Sequence, residues 1–125
     1  MDLPDEIPSY HIHFMLSLPL YRISKSHIFV HAGIDSTLEK PFADKGEDAM
    51  FWSRSRVTDS TACGGKVLVG GHTPLSLPEI KKSISCPHIR LDNGCVYGDA
   101  LPEMGNLVAL ELESGELFIQ EKIDV

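Results

Sequence analysis

The stretch Ile28-Phe29-Val30-His31-Ala32-Gly33 limits the possible folds most. Three apolar residues, two of them β-branched, read as a buried strand. Ala32 and Gly33 let the chain turn at once, which sets His31 at the C-terminal lip of that strand. Open α/β sheets tend to bind ligands at this position. The pattern recurs in Val67-Leu68-Val69-Gly70-Gly71-His72-Thr73-Pro74, again a strand, a glycine turn and a histidine. Alone, a histidine beside a glycine is more often a loop residue bonded to a carbonyl than a ligand. Two strand-end histidines on one sheet edge can share a divalent cation, for which imidazole is a common ligand.

The 125 residues suffice for a single domain, 1–125, with a modest core. No apolar run approaches the ~20 residues of a membrane span. The start, Met1-Asp2-Leu3-Pro4-Asp5-Glu6, is acidic and lacks the basic region of a signal peptide. The net charge of −7 argues against nucleic acid and anionic membrane surfaces as partners. An anionic substrate then requires local positive charge, from a metal or a placed arginine. Cys63, Cys86 and Cys95 show no C-x-x-C spacing, so reduced thiols in a cytoplasmic protein are expected.

Along the chain, residues 1–8 read as extended and Ser9 to Leu18 as a helix, opened by Pro8 and stopped by Pro19. His11 and His13, two apart on that helix, point away from each other and are not a ligand pair. Leu20 to Ile23 reads as a short strand, Gly46 to Trp52 as a short helix and Val57 to Gly65 as a polar loop. Lys66 to Val69 is the second core strand, Thr73 to Pro87 a long proline-bearing connection, and His88 to Asp92 an alternating strand. Asp92-Asn93-Gly94 carries turn chemistry. Leu107 to Leu112 and Glu116 to Glu121 alternate around Ser114-Gly115 and predict a hairpin. The sum is a strand-rich α/β (α+β) chain of about six strands and two short helices.

His31-Ala32-Gly33, Gly71-His72-Thr73-Pro74 and Asp92-Asn93-Gly94-Cys95 together resemble the C-terminal half of a calcineurin-like metallophosphoesterase. The similarity is to the serine/threonine protein phosphatase and symmetrical dinucleoside tetraphosphatase branch. Ser17-Leu18-Pro19-Leu20-Tyr21, Phe51-Trp52-Ser53-Arg54 and the Val108 to Leu117 hairpin follow the same family in the same order. The resemblance implies the strand-rich half of a β-sandwich flanked by helices. It implies a divalent metal pair (Mn²⁺, Fe or Zn²⁺) that activates water against a phosphoester or phosphoanhydride. Two metals about 3.5–4 Å apart generate such a nucleophile and clamp the phosphoryl oxygens.

Matched by motif, His31 and His72 are metal ligands and Arg54 grips the substrate phosphate, with Arg56 a rival for that task. A guanidinium suits the task because its planar fork binds two phosphate oxygens and stays charged. Asp92, Asn93 and Tyr97 fall in the loop that orders the histidines or meets substrate. The implied substrates are a phosphorylated protein or a dinucleoside polyphosphate.

The family's G-D-x-H-G, G-D-x-x-D-R-G and G-N-H-E motifs do not occur in this sequence. They supply the other metal ligands, so a complete member carries a further N-terminal portion. The expectation is a separated half or a truncated reading frame, inactive by itself and paired with the missing half or with a second copy. An uncovered half leaves strand edges and an apolar face open to such pairing. A different class of function follows from the same absence: a non-catalytic binding or interaction module built on the phosphatase scaffold. A third reading, free of the resemblance, is one structural zinc on His31, His72 and either Cys63 or Cys95.

Overall fold

The computed structural model describes residues 7–124. The acidic start and most of the extended segment expected over 1–8 lie outside the described residues. The chain is mixed α/β, with a four-stranded sheet, a two-stranded sheet and short helices. In the larger sheet the order follows the chain: β1 (Tyr21–Ile23), β2 (His27–Val30), β3 (Val67–Gly70) and β4 (His88–Arg90). A tight turn at Ser24, whose hydroxyl accepts from the His27 N–H at 3.0 Å, folds β1 antiparallel onto β2. The remaining pairs are parallel, with Ile28 opposite Leu68 and Leu68 opposite His88. Two parallel neighbours align their C-terminal ends, so the loops after β2 and β3 open on the same sheet edge.

Side chains alternate across a strand, so Ile28, Leu68 and His88 form one row on one face. Ile28 and Leu68 join Ile34, Met50, Val57 and Cys63 in the core, flanked by Tyr21, Val30, Phe42 and Ala62. Met50 belongs to α2 (Glu47–Trp52), whose carbonyl at Met50 accepts the Ala32 N–H at 2.9 Å and ties helix to loop. Gly70 is required where β3 ends. A Cβ there would stand 2.7 Å from the Ala32 carbonyl oxygen, closer than backbone atoms tolerate.

The helix α1 (Ser9–Ser17) forms close to its expected bounds, yet it buries no residue. Tyr10, Phe14, Met15, Leu16 and, just beyond the helix, Leu18 stand exposed. Among the described residues, no helix is long and apolar enough to cross a membrane.

The reading of Thr73 to Pro87 as a plain connection is corrected: it contains α3 (Leu77–Ser83). Ser76 accepts from the Glu79 N–H while the Glu79 carboxylate receives the Ser76 N–H, a reciprocal cap that satisfies donors otherwise left open at a helix start. Pro78 sits in the first turn, where its missing N–H costs nothing, so its presence marked a helix start rather than a break. Thr61–Cys63 and Cys95–Ala100 form tight 3₁₀ turns inside segments read as loop. The hairpin pairs β5 (Asn106–Leu110) with β6 (Leu117–Glu121). Its connection is longer than Ser114-Gly115. It is closed by the Glu111 N–H on the Glu116 carbonyl and the Gly115 N–H on the Glu111 carbonyl.

Candidate functional site

The loops after β2 and β3 are joined where the Gly71 N–H donates to the His31 carbonyl at 2.7 Å. This brings the two imidazoles together: His31 Nε2 lies 3.2 Å from His72 Nδ1, and the rings meet at 62°. The indole of Trp52, at the end of α2, stands edge-on to the His72 ring, centroids 5.7 Å apart.

His72 adopts φ of 70°, in the left-handed region that non-glycine residues rarely enter. The Thr73 N–H donates to the Gly71 carbonyl at 2.8 Å, so His72 is the apex of a three-residue turn of the strained hand. The Thr73 hydroxyl is buried with no hydrogen-bond partner among the described residues. Strain held at one residue and an orphaned hydroxyl beside it are features that accumulate at functional loops.

Two imidazole nitrogens at this separation can act in two ways. One ring donates its N–H to the lone pair of the other, or both lone pairs turn to a common cation. Nitrogens bound to one cation at about 2.0–2.1 Å each stand about 2.8–3.4 Å apart, from octahedral to tetrahedral arrangements. The His31–His72 separation falls in that span, so the pair fits two ligands of a divalent metal. Among the described residues, no group of three histidine, cysteine or carboxylate side chains is placed to complete such a site.

The histidines line an open depression of about 470 Å³ with Asp92, Asn93, Cys95 and residues of both sheets. Asp92 sits beside Gly71, where an added Cβ would lie 3.7 Å from the Asp92 Cβ, and its carboxylate accepts the Gly94 N–H at 2.8 Å. Asn93 is 2 % exposed and fully engaged. Its amide donates to the Leu75 and Glu103 carbonyls, and its oxygen accepts from the Asn106 backbone and side chain. With donors and acceptor all used inside the protein, Asn93 clamps three segments and is not aimed at a substrate.

Tyr97 lines a different hollow, with Gly98, Asp99, Met104 and Lys122 among its walls. Arg54 is exposed, two residues beyond Trp52, and is not among the side chains that line the histidine depression. Cys63 belongs to the core, where burial and then Asp59 push its thiol up. Cys95 lines the depression.

The sequence reading missed His88. Its side chain is 1 % exposed, its Nδ1 accepts the Val57 N–H at 3.0 Å, and its Nε2 has no partner among the described residues. Burial, then the nearby Arg90 and Arg56, lower its pKa to about 4, so the ring is neutral at pH 7. Its one available signal was the alternation of the His88 strand, which sets it in the row of Leu68. Comparison with protein-family models, with curated proteins and with solved structures finds no match to this chain.

Proposed function

We propose that the chain contributes the two-histidine limb of a metal-dependent phosphoesterase centre of the serine/threonine protein phosphatase kind. The observation that carries this reading is the 3.2 Å approach of His31 Nε2 and His72 Nδ1 at the ends of adjacent parallel strands. In this reading His31 and His72 hold a divalent metal of the Mn²⁺, Fe or Zn²⁺ class, the remaining ligands coming from another polypeptide segment or a second copy. The metal, when bound, supplies water activation and neutralises phosphoryl charge. Trp52 fixes the His72 ring, and the hydrogen bond between Gly71 and His31 holds the two loops at constant spacing. Asp92, packed against Gly71, orders the same loops. Arg54 is the phosphate-gripping residue of the reading, and phosphorylated proteins or dinucleoside polyphosphates are its substrates. The β-sandwich half-fold expected from the sequence belongs to the same proposal.

The test is a Zn²⁺ titration followed by imidazole NMR, run beside hydrolysis of p-nitrophenyl phosphate with added Mn²⁺. His31 and His72 respond first and together, before the exposed His11 and His13, and His72→Ala abolishes the response. This chain alone gives no metal-dependent turnover. An equal response from every exposed histidine overturns the reading. Turnover by the isolated chain that His72→Ala leaves intact does the same.

The absence of a third ligand among the described residues favours a second reading, a non-catalytic interaction module. The exposed apolar side chains of α1 would then be its contact surface. Self-association that Leu16→Lys abolishes, with no His31–His72 metal response, supports this alternative.

A further inference from the structure

Trp52 is the single tryptophan of the chain, and it stands 71 % exposed at the end of α2. Met50, two residues earlier, is buried in the core, and positions two apart on a helix face different ways. The helix thus packs through Met50 and leaves the indole outside, although burying a ring of that size is worth a great deal. The indole borders a hollow of about 520 Å³, with Asp35, Thr37, Asp48, Ser53 and Ser55 among its other walls. This hollow shares no lining residue with the histidine depression. Trp52 connects the two, since its ring also meets the His72 ring.

The charges around the hollow are of one sign. Asp48 and Trp52 are four apart on α2 and stand on one helix face. Asp35 comes from the loop after β2. Its Oδ1 accepts both the Thr37 N–H, at 3.0 Å, and the Thr37 hydroxyl, which fixes the carboxylate and leaves Oδ2 for a ligand. The hydroxyl and then the N–H of Thr37 hold this carboxyl below its ordinary value, so it is charged at pH 7. Among the described residues that line the hollow there is no lysine, arginine or histidine. A metal ion has no use for an indole and takes more oxygens than these, and no three-ligand group exists among the described residues. An organic cation uses both features: the carboxylates accept its N–H groups, and the indole face attracts its charge.

We propose that Trp52, Asp35 and Asp48 form a binding site for an organic cation, an ammonium or guanidinium group carried on a polypeptide side chain or on a free polyamine. The cation lies against the indole and donates to the carboxylates, and the net charge of −7 draws it in. The site needs no metal and stands independently of the phosphoesterase reading. Because Trp52 touches His72, occupancy of the hollow also reaches that imidazole.

The test uses metal-free protein and reads the emission of Trp52, which reports this site alone because the chain has no other tryptophan. The probes are a capped Gly-Arg-Gly peptide, its citrulline counterpart, which is neutral and of the same shape, and spermidine. The arginine peptide or spermidine shifts the emission, and the citrulline peptide does not. Asp48→Asn and Asp35→Asn each weaken binding by about threefold or more. Both residues sit at the surface, and near-ultraviolet circular dichroism confirms that each variant keeps the native fold. Trp52→Leu, followed by calorimetry, weakens binding by a similar factor, while Trp52→Phe, which keeps an aromatic face, falls between. Glu113→Gln, an exposed carboxylate in the hairpin connection, leaves binding unchanged. In NMR spectra the His72 ring responds to the probe, and His11 and His13 do not. Tighter peptide identifies a basic side chain as the ligand, and tighter spermidine identifies a free polyamine. No response to either cation overturns the proposal. So does an equal response to the citrulline peptide, or an equal loss in Glu113→Gln, which would reduce the effect to bulk charge.

Discussion

The lips of β2 and β3 and the flank of β4 both crowd nitrogen-bearing side chains, but they do so in opposite ways. At the lips, His31 and His72 sit in loops, partly open to solvent, one at a strained backbone position. Their approach is maintained by the backbone bond between Gly71 and His31. At the flank, His88 is buried in the core row and serves as a cap for Val57, with Arg56 and Arg90 held near it. The lesson is that a histidine's job follows from what surrounds its two nitrogens. An open pair keeps lone pairs free for a ligand at the cost of strain. A buried ring gives one nitrogen to the backbone and in return must stay neutral.

The largest test of this contrast is removal of each ring. His88→Ala is expected to destabilise the fold by about 3 kcal/mol, because it leaves a cavity and strands the buried Val57 N–H. His31→Ala is expected to cost less than about 1 kcal/mol. Chemical denaturation of both variants measures the difference, and equal losses would erase the distinction between the two regions.

Acid comes next. A histidine whose pKa is about 4 folded, against an ordinary 6.5, binds its proton more readily in the unfolded chain. Its contribution to stability is therefore complete above about pH 6.5 and is lost as pH falls towards 4, by at most about 3 kcal/mol. Denaturation midpoints across that range should fall in the native protein. They should stay flatter in His88→Phe, which cannot take up the proton, whereas His31→Phe should leave the slope in place.

The smallest effect has the opposite sign. Glycine occupies φ of 70° without the cost borne by a side chain, so His72→Gly is expected to stabilise the fold by about 1 kcal/mol while removing the metal response. A destabilised His72→Gly would mean that the packing of Trp52 on His72 outweighs the strain.

Much of both sheets was legible because their signals are local. In the larger sheet, apolar runs leading to glycine marked β2 and β3, and in the smaller one two alternating stretches around Ser114-Gly115 marked β5 and β6. The strand-end histidines were anticipated for the same reason: the same short pattern occurs twice. Helix α3 was hidden by Pro78, whose meaning reverses between a helix start and a helix interior, and by having only seven residues to display a period. Asn93 read as turn chemistry, and its four-way clamp was invisible because Leu75, Glu103 and Asn106 come from separate segments.

By itself the sequence determined where the strands lie to within a residue or two at each end, which histidines stand at the ends of β2 and β3, and that the chain is acidic. These depend on near neighbours and on composition. The tertiary structure decided that His31 and His72 come within 3.2 Å, that Asn93 is spent on the backbone, and that His88 and Arg90 meet the segment Arg54 to Val57. Those contacts depend on strand order and register, and on a backbone turn at His72 that histidine does not prefer. Packing fixes them across gaps of 10 to 41 residues, beyond the reach of any local pattern.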